Sequence, residues 1–141
     1  FTGCSFRSRS LAEVDYFAFM RLLSIAATAK TPQIEYDAQQ NQLTLSGRSI
    51  PENAVDFYRP VLDWTHSLEA ETPLTVVVQL EYFNTSSSKC LLDLFKRLET
   101  SSEVSTKWHF DADDEDMLEA GEDYDHIVSV PFTFIEVDPS V

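Results

Sequence analysis

Asn84 is followed by four hydroxyl residues and a lysine, Thr85-Ser86-Ser87-Ser88-Lys89, at the point where a β-prone run gives way to helical spacing. A hydroxyl at a helix N-terminus lies beside backbone N–H groups that the helix leaves unbonded. A phosphate on Thr85 would accept those donors, add about −1.5 to −2 charges, and stand one turn from Lys89 at i+4. The plainer reading is that Asn84, Thr85, Ser86 and Ser87 cap the helix, and pattern alone favours it.

The second candidate is the acidic stretch from Asp111 to Asp125. Asp111, Asp113, Glu115 and Glu122 fall at calcium-loop offsets, but Asp116 stands where such a loop needs glycine. A solvated face or a partner surface formed by Asp114, Glu115, Asp116, Glu119 and Glu122 is the preferred reading, with a divalent-cation-binding acidic domain over 111–125 as the alternative.

Other chemistry is sparse. His66, His109 and His126 are scattered and join no nucleophile-and-base signature. The three glycines, Gly3, Gly47 and Gly121, make no phosphate-cradling loop, which removes the common kinase and NTPase readings. Cys4 and Cys90 have no metal-ligand spacing, and Cys90 sits on the apolar face of a helix as a small hydrophobe. Trp64 and Trp108 lie in apolar-patterned elements and read as core. The expectation is a non-enzymatic protein with no cofactor and no metal.

Charge narrows the partners. The chain of 141 residues carries 24 acidic against 10 basic residues, a net charge of −14, which opposes binding to nucleic acid or to an anionic membrane. From Trp108 to Val141 there are eleven carboxylates and no Lys or Arg. The apolar stretch Tyr16 to Ala29 is broken by Arg21 and falls short of the ~20 residues of a membrane span. Glu13, Asp15 and Arg21 likewise spoil a secretory signal, so a cytoplasmic protein is expected. Residues 1–19 read as an N-terminal extension or expression remnant, with Met20 as a plausible start and 20–141 as one domain.

The elements that must position these residues follow from periodicity. Gln33 to Tyr36 and Gln42 to Ser46 predict a hairpin turning at Asp37 to Asn41 and closed by Gly47. Ser49-Ile50-Pro51-Glu52 has the form of a capping box, and Ala54, Phe57, Tyr58, Val61, Leu62 and Leu68 follow helical spacing, with a bend expected at Pro60. Leu74 to Phe83 is β-prone and apolar on nearly both faces at its start, a central strand. Ser86 to Leu98 is an amphipathic helix with Cys90, Leu91, Leu94, Phe95 and Leu98 inward. Glu103 to Phe110 alternates as a strand. His126 to Val137 is strand-like, with Pro131 placing it at an edge or bulge, while the acidic stretch before it ends near Gly121. The order predicts an α/β (α+β) single domain, a mixed sheet with one hairpin, one βαβ crossover and two main helices.

Three motifs taken together, Gly47-Arg48-Ser49-Ile50-Pro51-Glu52-Asn53-Ala54, Tyr82-Phe83-Asn84-Thr85-Ser86-Ser87-Ser88-Lys89 and Asp114 to Asp123, give the chain a resemblance to the SiaC family of bacterial regulatory phosphoproteins. It runs from about Ile25 to Ile135. The resemblance implies a partner switch in c-di-GMP signalling and biofilm control. The unphosphorylated protein binds and activates a diguanylate cyclase; a Ser/Thr protein kinase phosphorylates one threonine, and a PP2C-like phosphatase restores it. That threonine falls on Thr85, which reverses the preference for a mere cap. Asn84, Ser86, Ser87 and Lys89 become expected loop or partner contacts.

Overall fold

A computed structural model describes residues 23–68, 73–100 and 103–138. The expected extension 1–19, with Cys4, and the start at Met20 lie outside them. Six strands form one mixed sheet whose spatial order is their sequence order. They are β1 (Ser24–Ile25), β2 (Gln33–Asp37), β3 (Gln42–Ser49), β4 (Leu74–Phe83), β5 (Val104–Asp111) and β6 (Phe132–Val137). β1, β2 and β3 pair antiparallel, while β3 to β6 run parallel. Each parallel step is bridged by a helix: α1 (Ala54–Trp64), α2 (Thr85–Leu98) and α3 (Glu115–Ile127).

Three crossovers stepping the same way along the sheet, each with the usual right-handed turn, put all three helices on one face. The register shows the result. Ile34, Leu45, Val78, Trp108 and Phe134 form one row across the sheet, and Leu43, Val76 and Phe132 belong to the next. Their side chains meet the helices, as when Trp108 packs on Tyr124 of α3 with ring centroids 5.7 Å apart. On the alternate face Thr44, Thr75, Ser105, Lys107 and Thr133 are polar and none is buried, with the buried Val77 between Thr44 and Lys107 as an exception. One face is core and the other is mostly polar, the pattern of a two-layer domain.

The fold class, the hairpin, the central β4, α2 and the edge position of β6 are as expected. Two local readings are corrected. Ser49 does not cap α1: β3 runs through it, pairing it with Phe83, and α1 begins at Ala54 with the Asn53 side chain accepting the Asp56 N–H. Strand pairing outcompeted the capping box, and Pro51 is buried ahead of the helix.

The acidic stretch, expected to end near Gly121, is the third helix and adds one crossover; α1, which joins β3 to β4 in parallel, adds another, so there are three where one was expected. Its start is well made, because the Asp114 carboxylate accepts the Met117 N–H at 3.0 Å and Glu115 and Asp116 complement the helix dipole. Gly121 looked like a stop but is a packing residue. A Cβ there would lie 2.7 Å from the Trp108 ring and 2.8 Å from Phe134, so only glycine lets α3 come this close.

Candidate functional site

The hydroxyl corner lies where β4 ends and α2 begins, at the carboxyl end of the parallel strands. Asn84 is extended (φ −85, ψ 176) and caps α2, its side-chain oxygen accepting the Ser87 N–H at 2.9 Å. Its own N–H donates to the Ser49 carbonyl at 3.0 Å. Thr85 is therefore the first residue of the helix, one position ahead of the expected start. Its side chain is exposed.

The four adjacent hydroxyls are not equivalent. Ser87 is fully buried: its Oγ donates to the Ser49 carbonyl at 3.1 Å and lies 2.8 Å from the Ser49 Oγ. Ser88 donates to the Thr85 carbonyl at 2.6 Å. Thr85 and Ser86 are exposed, and neither hydroxyl has a partner among the described residues. Lys89 is exposed one turn on. So Asn84, Thr85, Ser86 and Lys89 share one surface, while Ser87 turns inward and cannot be a surface contact.

Beneath the corner the chain of hydroxyls continues to α1, where Tyr58 OH lies 2.6 Å from the Ser49 Oγ. With the Ser87 proton on the Ser49 carbonyl, Ser49 donates to Ser87 and Tyr58 to Ser49, although each hydroxyl–hydroxyl contact fits either direction. Burial pushes the Tyr58 pKa up to about 12 against the hydrogen bonds of Ser49 and Ser87, so it remains protonated at ordinary pH. Ser49 and Tyr58 were missed in the sequence because both carry local patterns, a cap and a helix face, that explain them without each other.

α3 is fastened to the same turn. Tyr124 OH donates to the Ser88 carbonyl at 2.8 Å, and burial drives its pKa well above the usual tyrosine value. Between α2 and α3 lies an open cleft of about 240 Å³ lined by Phe83, Lys89, Leu92, Asp123 and Ile127, among others. Ile127 is 55% exposed on its rim.

Of the acidic candidates, Asp114 is spent as the α3 cap, and Glu115, Asp116, Glu119 and Glu122 are exposed along α3. Glu115 and Glu122 lie in continuous helix, so the calcium-loop offsets do not become a calcium loop. Among the described residues no three His, Cys, Asp or Glu side chains gather as metal ligands. No described helix is long and apolar enough to cross a membrane.

The chain is thus a two-layer α/β domain with an exposed hydroxyl on the first residue of α2. The comparisons with known proteins give its family. The family model described as SiaC family regulatory phosphoprotein matches residues 25–137, and the chain belongs to that family. It is 34% identical over 116 residues to an uncharacterized protein of Pseudomonas aeruginosa strain UCBPP-PA14, covering 78% of this chain and 92% of the other. It is similar to the crystal structure of the diguanylate cyclase SiaD in complex with its activator SiaC from Pseudomonas aeruginosa, with a TM-score of 0.76, 33% identity, and coverage of 82% of this chain and 99% of that one. The apo-SiaC crystal structure from the same organism matches with a TM-score of 0.73 and 33% identity, covering 81% and 98%.

Proposed function

We propose that this chain is a cytoplasmic, non-enzymatic signalling protein that binds and activates a diguanylate cyclase while Thr85 is unmodified, and that phosphorylation of Thr85 releases the cyclase. A Ser/Thr protein kinase adds the phosphate and a PP2C-like phosphatase removes it. The observation that carries the reading is the free, exposed Thr85 hydroxyl on the first residue of α2, in a chain that belongs to the SiaC family.

The physics of the switch is differential. In the free protein a phosphate on Thr85 is solvated and favoured by the positive end of the α2 dipole. In a complex the same dianion has to be desolvated against the partner surface, and it repels acidic groups there. A loss of ~3 kcal/mol weakens binding more than a hundredfold. Asn84, Ser86 and Lys89 border the docking surface, and the α2–α3 cleft with its exposed Ile127 extends it. The α3 carboxylates Glu115, Asp116, Glu119 and Glu122 offer a second surface to a basic partner region.

Calorimetric titration of a purified diguanylate cyclase with the chain tests the proposal. Thr85→Ala should bind like the unaltered protein and resist the kinase, and Thr85→Glu should bind more weakly. Equal affinity of all three would overturn it.

A further inference from the structure

Asn84, Thr85, Ser86 and Ser87 are all residue types favoured at a helix N-cap. The local sequence therefore does not specify where α2 starts, and a slip of one residue would make Thr85 the cap. Its hydroxyl would then be consumed as an acceptor for a backbone N–H. Ser86 would stand in its place as the free hydroxyl on the first helical residue.

One residue removes this ambiguity. Ser49, fully buried at the end of β3, holds the chain on both sides of Thr85. Its carbonyl takes the Asn84 N–H at 3.0 Å and the Ser87 hydroxyl at 3.1 Å, and its own hydroxyl oxygen lies 2.8 Å from that of Ser87. Tyr58 on α1 fixes the Ser49 rotamer from the other side at 2.6 Å. Thr85 and Ser86 are left as a two-residue tip between tethered neighbours.

We propose that Ser49 is the positioning residue of the corner, acting through Ser87 and backed by Tyr58, and that it selects Thr85 over Ser86 as the hydroxyl that receives phosphate. The selection half rests on the function proposed above; the anchoring half does not.

Two measurements on the full chain separate them. The first is native-state hydrogen exchange of Ser49→Ala, with Ser87→Ala as a second variant that leaves Ser49 and Tyr58 bonded to each other. In Ser87→Ala, which removes both side-chain bonds to residue 49, the amides of residues 87 and 88 should exchange about tenfold faster or more while those of β4 are unchanged, and Ser49→Ala, which keeps the residue-49 carbonyl, should act in the same direction but less. Exchange at 87 and 88 within about twofold of the unaltered chain in Ser87→Ala, or equal acceleration of β4, overturns the anchor. The second is phosphosite mapping with a Ser/Thr kinase that modifies the unaltered chain, where Ser49→Ala should move part of the phosphate from Thr85 to Ser86. Phosphate confined to Thr85 in the variant overturns the selection. If the unaltered chain takes no phosphate on Thr85 from any such kinase, the functional reading fails, and exchange still decides the anchor.

Discussion

Ser49 and Ser87 are 38 residues apart in the chain and 2.8 Å apart between their hydroxyl oxygens. The bond joins the last residue of β3 to the first turn of α2, with Tyr58 of α1 as its third member. Three elements thus converge on two serines beneath Thr85, and the number of bonds each member makes ranks what it contributes.

Ser49→Ala should be the costliest change, because it strands the Tyr58 hydroxyl in a buried site, at about 1–3 kcal/mol. Tyr58→Phe leaves Ser49 still bonded to Ser87, so it should cost about 1 kcal/mol or less. The double variant Ser49→Ala with Tyr58→Phe has no stranded donor and should cost less than the sum of the two. Urea denaturation of the four proteins measures the cycle, and strict additivity would contradict the wiring.

Alkaline pH reads the same network. The Tyr58 pKa is raised from 10.0 to about 12 in the folded state, so the protonated form is the one that folding favours. Its contribution is fully present below pH 10, the unfolded value, and is lost as pH rises through the folded value near 12. The slope reaches at most about 1.4 kcal/mol per pH unit for one such group. Tyr124 is shifted in the same direction by burial, so Tyr58→Phe should reduce the slope without abolishing it. Thermal melts at stepped alkaline pH give both slopes.

Gly121→Ala should reverse the ordinary sign of a helix substitution. Alanine in place of glycine within a helix gains roughly 0.5–1 kcal/mol from propensity. Here the new methyl meets the Trp108 indole at 2.7 Å, and that ring is fully buried and bonded through its Nε1 to the Met117 carbonyl at 2.9 Å. Overpacking of this kind costs about 1–3 kcal/mol, so a net loss of stability is expected in denaturant titration.

Thr106→Val should stabilise the protein. Thr106 is 1% exposed, and its hydroxyl has no hydrogen-bond partner among the described residues. Replacing the unmet hydroxyl with a methyl of similar size should gain about 1 kcal/mol, seen as a melting temperature higher by about 4 °C.

Ile127→Asp probes the α2–α3 cleft. The side chain is 55% exposed, so stability should change by no more than about 0.5 kcal/mol. Affinity for the cyclase should fall by about tenfold or more if the cleft belongs to the docking face, since about 1.4 kcal/mol is lost with a buried apolar contact. Unchanged affinity in calorimetry would remove the cleft from that face.

What the amino-acid order determined is local. The alternation of Leu43 and Leu45 made a half-buried strand, the run Leu74 to Phe83 a central one, and the Asn84 to Lys89 cluster a helix start with candidate hydroxyls, since each depends on neighbours within a few residues. Gly121 and the thin apolar stripe of α3 hid a helix whose reason to exist is the Trp108 surface it covers. Ser49 carried a cap signature that strand pairing to Phe83 overrode. Only the tertiary structure could tell Thr85 from Ser87: nothing in four consecutive hydroxyls distinguishes them, and the choice is made by β3, a partner 38 residues away that buries one hydroxyl and leaves the other free.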